Sequence, residues 1–259
     1  MISRYTIGVD YGTNSVRAVV VDCANGEEIS AHVFDYPFGH QGILLDKKGH
    51  NLARQNPADY VAGLEKSVTA ALAKAKRTRG FKPEQVIGIG VDTTGSTPIP
   101  VDKNLVPLAF DKKWKKNLAA QAWLWKDHTG APEAQKITSV ARRMRPDYLA
   151  KYGGTYSSEW YWSKLWHCIN VAPEVFDAAY LWIEFADWVP AVLCGVRDPA
   201  NLKPGMCPAG HKALYNEEWG GYPDAEFLGA LDPRLAAYRA LMPQKAWTLD
   251  AKAGELCAA

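Results

Sequence analysis

The 259-residue chain carries 30 basic and 28 acidic side chains, with 47% of its residues hydrophobic and 22% charged. Charge this evenly balanced excludes a polyelectrolyte built to coat nucleic acid, and the hydrophobic share excludes an intrinsically disordered chain. The length suits one large or two small cores, and no apolar run reaches the roughly 18 residues a membrane helix needs.

In chain order, Met1-Ile2-Ser3-Arg4 leads without a signal-peptide pattern into a β-prone run, Tyr5-Thr6-Ile7-Gly8-Val9. Asp10 is expected where that strand ends. Gly12 permits a tight turn, and Thr13, Asn14 and Ser15 offer donors suited to an anion. Val16 to Val21 predicts a second strand, with Arg17 near the turn and Asn25-Gly26 opening a hairpin. An Asp-x-Gly-Thr segment also serves as an ordinary turn, and no Walker lysine follows. A second strand pattern, Val86 to Val91, again runs into an acid, Asp92, and a hydroxyl-glycine stretch, Thr93-Thr94-Gly95-Ser96-Thr97-Pro98. In parallel sheets ligands collect at the carboxyl ends of strands, so the two loops are expected to face one cleft.

Between them, Asn56 predicts a helix cap and Pro57 a first helical residue, with Tyr60, Val61, Leu64, Val68, Ala71 and Leu72 as the packing face. From Trp114 the chain reads as helical and tryptophan-rich, with helices expected at 134–150, 160–171 and 185–194. The stretch from Asn201 to Pro223 reads as loop. The basic runs 74–79 and 112–116 suit solvated helix faces better than binding patches. Trp160, Trp162 and Trp166 suit a core better than a carbohydrate platform. Five cysteines (23, 168, 194, 207 and 257) are odd in number and lack Cys-x-x-Cys spacing, which predicts reduced thiols and a cytoplasmic location.

The wording and order of these segments resemble the FGGY carbohydrate kinases, relatives of glycerol kinase and xylulokinase, and most closely the ribulokinase members. The resemblance rests on residues 10–17 and 92–98, Leu124-Trp125-Lys126-Asp127-His128-Thr129, Gly153 to Trp160, Asp187-Trp188-Val189-Pro190, Ala209-Gly210-His211-Lys212, and Trp219 to Pro223. It implies an α/β, actin-like (ribonuclease H-like) ATPase lobe with a helical tryptophan-rich insertion. It also implies an incomplete amino-terminal lobe: an α/β core to about residue 110, a mostly helical sugar-side region beyond it, and an ATP-binding second lobe outside the 259 residues.

The activity implied is ATP- and magnesium-dependent phosphorylation of the terminal hydroxyl of ribulose, in arabinose catabolism. By resemblance Gly12, Thr13, Asn14, Ser15 and Arg17 meet the ATP phosphates, and Asp10 lies near Mg2+. Gly95, Ser96, Trp125, Glu159 and Lys212 line the sugar pocket. Without the resemblance, Lys212 reads as a surface lysine and Trp125 as a core indole. The family's catalytic aspartate has no counterpart after Lys212, so it is expected beyond Ala259 and the chain alone is expected to be inactive; Asp250 lacks the strand-and-glycine setting. Xylulose or ribitol are rival substrates, and a non-catalytic sugar-binding fragment is the rival of another class. No nucleic acid or membrane partner is expected, and a homo-oligomer is left open.

Overall fold

A computed structural model describes residues 3–46, 49 and 51–257 of the chain. Met1 and Ile2, in the run read as leading directly into the first strand, and Ala259, beyond which the base is expected, lie outside the described residues. The chain forms two units, residues 1–44 with 55–94 and residues 45–54 with 95–259. The division therefore falls at Thr94, earlier than the change in composition near residue 110 suggests.

The first unit is built on β1 (Tyr5–Tyr11), β2 (Ser15–Asp22) and β3 (Glu28–Asp35). In chain order there follow the two-residue β4 (Leu44–Leu45) and the three-residue β5 (Ala53–Gln55), both at the boundary between the units, then α1 (Pro57–Ala75) and β6 (Val86–Thr93) of the first unit. The main sheet has the order β3-β2-β1-β6, with β1 and β2 antiparallel and β1 and β6 parallel. Alternation sets its core. Tyr5, Ile7, Val9 and Tyr11 of β1 and Val16, Ala18 and Val20 of β2 are buried, while Asp10 and Arg17 point to the solvent side.

Because an exposed acid fits that alternation, β1 continues through Asp10 to Tyr11 instead of ending at the carboxylate. Asn56 caps α1 as expected, its side chain accepting from Ala58 N, with Pro57 in the first turn. The buried face of α1 differs from the apolar stripe: it runs Tyr60, Gly63, Ser67, Ala71 and Ala75, and Val61 is exposed. The helix lies close to the sheet, so small residues pack better there than leucine and valine. A Cβ on Gly63 would lie 2.5 Å from Val16 Cγ1.

The second unit contains β7 (Pro98–Val101), β8 (Ala122–Trp123) and β9 (Leu181–Glu184). Its helices are α2 (Ala131–Met144), α3 (Asp147–Ala150), α4 (Tyr161–Val171), α5 (Pro173–Ala178) and α6 (Phe185–Leu193). Three short ones follow: α7 (Met206–Lys212), α8 (Ala225–Leu231) and α9 (Pro233–Arg239). β7 pairs antiparallel with β9, and β4-β5-β8 form a second small sheet.

Helices expected at 160–171 and 185–194 are present within a residue of those bounds. The one expected at 134–150 is broken at Arg145-Pro146 because the proline cannot continue the hydrogen-bond ladder. Trp162 and Trp166 are buried, with Trp123, in the core of this unit. Asp127 is also buried there, paired with Arg54, and accepts from Ala53 N at 2.7 Å and from Thr129 Oγ1 at 2.5 Å. The Arg54 guanidinium lies 3.4 Å from the centroid of the Trp123 ring. Among the described residues no helix is long and apolar enough to cross a membrane.

Candidate functional site

The β1–β2 turn is anchored from several sides. Gly12 N donates to Ser15 O at 2.9 Å, and Tyr36 N to Asn14 O at 2.9 Å. Asn14 Nδ2 donates to Gln41 O at 2.7 Å. Gln55 Nε2 donates to Thr13 O at 2.7 Å, and its own Oε1 accepts from the Tyr60 hydroxyl. The Asn14 side-chain amide thus helps to hold the loop.

Register places Asp10 opposite Arg17 on β2 and Asp92 on β6, all on solvent-exposed positions. These three line a groove of about 600 Å³ with Gly8, Glu28 and Gly90. Two carboxylates on adjacent strands form an oxygen donor set of the kind Mg2+ accepts while keeping several waters.

In the second unit the residues expected at the sugar come from four segments. Gly95 and Ser96 form the turn after β6, and Ser96 is buried with φ +58°, in the left-handed region. A Cβ on Gly95 would stand 3.6 Å from Lys212 Cε, so the glycine and the lysine are immediate neighbours. Lys212 is not in a loop; it is the last residue of α7. Its carbonyl accepts from the Tyr156 hydroxyl at 2.6 Å, and the same hydroxyl accepts from Trp162 N at 3.0 Å. Its Nζ is 5.8 Å from the centre of the Trp160 ring.

Burial lowers the Lys212 pKa, and the nearby carboxylates of Glu184 and Glu159 oppose that shift. Glu159, half-buried just before α4, therefore shares the electrostatic neighbourhood of Lys212. Trp125 is 39% exposed and directly follows Leu124, which is wholly buried.

Two charged residues of this region escape a sequence reading. Lys164 on α4 is fully buried, with Nζ donating to Ser96 O, Trp123 O and Leu124 O. Glu184, at the end of β9, accepts from Thr97 N at 2.9 Å. Burial pushes Glu184 up to about 7 against the pull of Lys164. A lysine amid the mostly aromatic and aliphatic residues Tyr161 to Ile169 is the one sequence signal of the pair.

The comparisons place the chain among the carbohydrate kinases. Residues 5–217 match the FGGY family of carbohydrate kinases, N-terminal domain, and the chain belongs to that family. Ribulokinase of Vibrio parahaemolyticus is 38% identical over 98% of this chain and 44% of that protein. Ribulokinase of Shouchella clausii is 41% identical over 91% of this chain and 41% of that protein. The chain thus spans less than half the length of these curated relatives.

Among solved structures, xylulose kinase from Bifidobacterium adolescentis superposes with a TM-score of 0.70 at 15% identity, over 96% of this chain and 48% of that one. Plasmodium falciparum glycerol kinase with ADP gives 0.67 at 14% identity, over 93% and 42%. These likenesses show the fold, which is the actin-like α/β architecture implied by the sequence.

Proposed function

We propose that the chain provides the amino-terminal, sugar-side part of a ribulokinase, which transfers the γ-phosphoryl group of ATP to the terminal hydroxyl of ribulose in arabinose catabolism. The observation that carries this reading is the 38–41% identity to two ribulokinases over nearly the whole chain. Xylulose kinases share the fold at 15–16% identity, which does not bear on substrate. The cytoplasm is the compartment proposed, on the unpaired cysteines.

Phosphoryl transfer asks the protein for positioning and for neutralisation of charge. Bound magnesium would supply a Lewis acid that neutralises phosphate charge. Asp10, with Asp92 beside it in register, would hold that metal, and Gly12, Thr13, Asn14, Ser15 and Arg17 would meet the phosphates. Gly95 permits close approach to the sugar, and Ser96 shapes the turn that presents it. Trp125 supplies an apolar wall for a C–H face. Lys212 and Glu159 supply a donor and an acceptor for sugar hydroxyls.

The test is competition between ribulose and xylulose, read as sugar-dependent ADP release from MgATP by the full natural chain that carries these residues. A kcat/KM for ribulose at least tenfold above that for xylulose supports the reading, and the reverse order overturns it. Lys212→Ala in the same protein should raise the ribulose KM about 10- to 100-fold, the worth of one charge-assisted hydrogen bond. Unchanged kinetics would remove Lys212 from the pocket. ADP release by residues 1–259 alone would place every catalytic group within them.

A further inference from the structure

Ser96 holds a left-handed backbone conformation that a non-glycine residue rarely adopts, and it does so while buried. What fixes it comes from α4. An ammonium has three N–H donors, and Lys164 directs all three at main-chain carbonyls: Ser96 O at 2.5 Å, Leu124 O at 2.8 Å and Trp123 O at 3.1 Å. The side chain is wholly buried, so water cannot take the place of any of these partners. Glu184 holds the next residue of the turn by its amide, accepting from Thr97 N. The turn is therefore gripped at consecutive residues by a buried cation and a buried acid.

Burial works against the charge on Lys164; Glu184 and Glu159 support it, while Arg54 and Lys212 oppose it. An apolar side chain at this position would avoid that conflict, since buried ion pairs are commonly replaced by hydrophobic residues without loss of stability. A cation here meets a specific demand, three carbonyls from two segments that must be held together.

We propose that Lys164 is a positioning residue for sugar binding: it fastens the Gly95–Ser96 turn to the Trp123–Leu124 segment, so that Gly95 and Trp125 are presented at one fixed spacing. It does not touch the sugar. The inference rests on the sugar-pocket reading above and adds to it a residue outside the pocket that sets the pocket's shape.

Two variants of the full natural chain test it, Lys164→Met and the charge-balanced double variant Lys164→Met with Glu184→Gln. The double variant leaves no lone buried charge and keeps an acceptor for Thr97 N, so it remains foldable. Expected in the double variant are a ribulose KM raised about tenfold or more, an ATP KM within about twofold of wild type, and amide exchange at residues 95–97 about tenfold faster. A ribulose KM within about twofold of wild type overturns the proposal, as does a fall in kcat alone with both KM values unchanged, which marks a merely structural role. If the wild-type protein shows no saturation by ribulose, the failure lies with the sugar assignment. The clamp is then judged by exchange alone: faster exchange at residues 95–97 retains it, and unchanged exchange removes it.

Discussion

Asp127 belongs to a segment that first drew notice as a family motif, and its place in the structure predicts that its main effect is on stability. Its carboxylate is fully buried against the Arg54 guanidinium, which is itself 3% exposed. It also accepts from Ala53 N, Thr129 N and Thr129 Oγ1. Asp127→Ala leaves the Arg54 charge buried without its partner, at a cost of about 3–5 kcal/mol. The orphaned Ala53 amide belongs to the same network, so its cost is part of that figure and not added to it.

All ten tryptophans lie in the second unit, so their fluorescence in urea follows the unfolding of that unit. With a denaturant slope of about 2 kcal/mol per molar, a loss of about 4 kcal/mol moves the midpoint down by about 2 M. The double variant Arg54→Met with Asp127→Leu should recover most of that loss, because it removes both charges together. A midpoint shift below about 0.5 M in Asp127→Ala, or a double variant no more stable than the single, refutes the reasoning.

Asp59 predicts a pH dependence in the first unit. Burial raises its pKa to about 6 in the folded protein, partly offset by the hydrogen bond from Phe38 N, while an unfolded aspartate titrates near 3.9. The folded state keeps its proton longer, so this group's favourable contribution is present below about pH 4 and is lost as pH rises through about 6. Asp59→Asn should flatten the stability profile across that window, seen as far-ultraviolet circular dichroism melts near pH 4 and pH 7; an unaltered slope would refute it. Gly63→Ala should destabilise the first unit by about 1 kcal/mol, the crowding of Val16 outweighing the gain in helix propensity. Val16→Ala in the same chain should relieve part of that crowding, and a more stable Gly63→Ala protein would contradict the packing described.

Much of the first unit was legible because its signals are local. Apolar runs marked β1, β2 and β6, and Asn56-Pro57 marked the start of α1. The packing face of α1 was misread because hydrophobicity alone does not say how near a helix lies to its sheet; Gly63, Ser67 and Ala71 face inward because the space is short. Glycine and proline between Asn201 and Pro223 concealed α7, a helix of two turns.

Lys164 was not legible as a clamp, since its partners are carbonyl oxygens 40 to 68 residues away. Every residue has a carbonyl, so no residue type in the sequence marks the acceptors. Gly95 and Lys212, by contrast, lie in segments that resemble family motifs, and they stand together in the structure.

The position of Lys212 at the end of α7 bears on the entropy of binding. A lysine carried by a free loop would have to immobilise its main chain when a ligand arrived, at roughly 1–2 kcal/mol for each residue ordered. Here the Tyr156 hydroxyl already holds the Lys212 carbonyl, and Trp162 Nε1 holds the next one, at Ala213. Only the side chain remains to be ordered. The cation is preorganised at its base and adjustable at its tip; in the sugar-binding role proposed above, different hydroxyl geometries would be met by rotamer changes without moving the backbone.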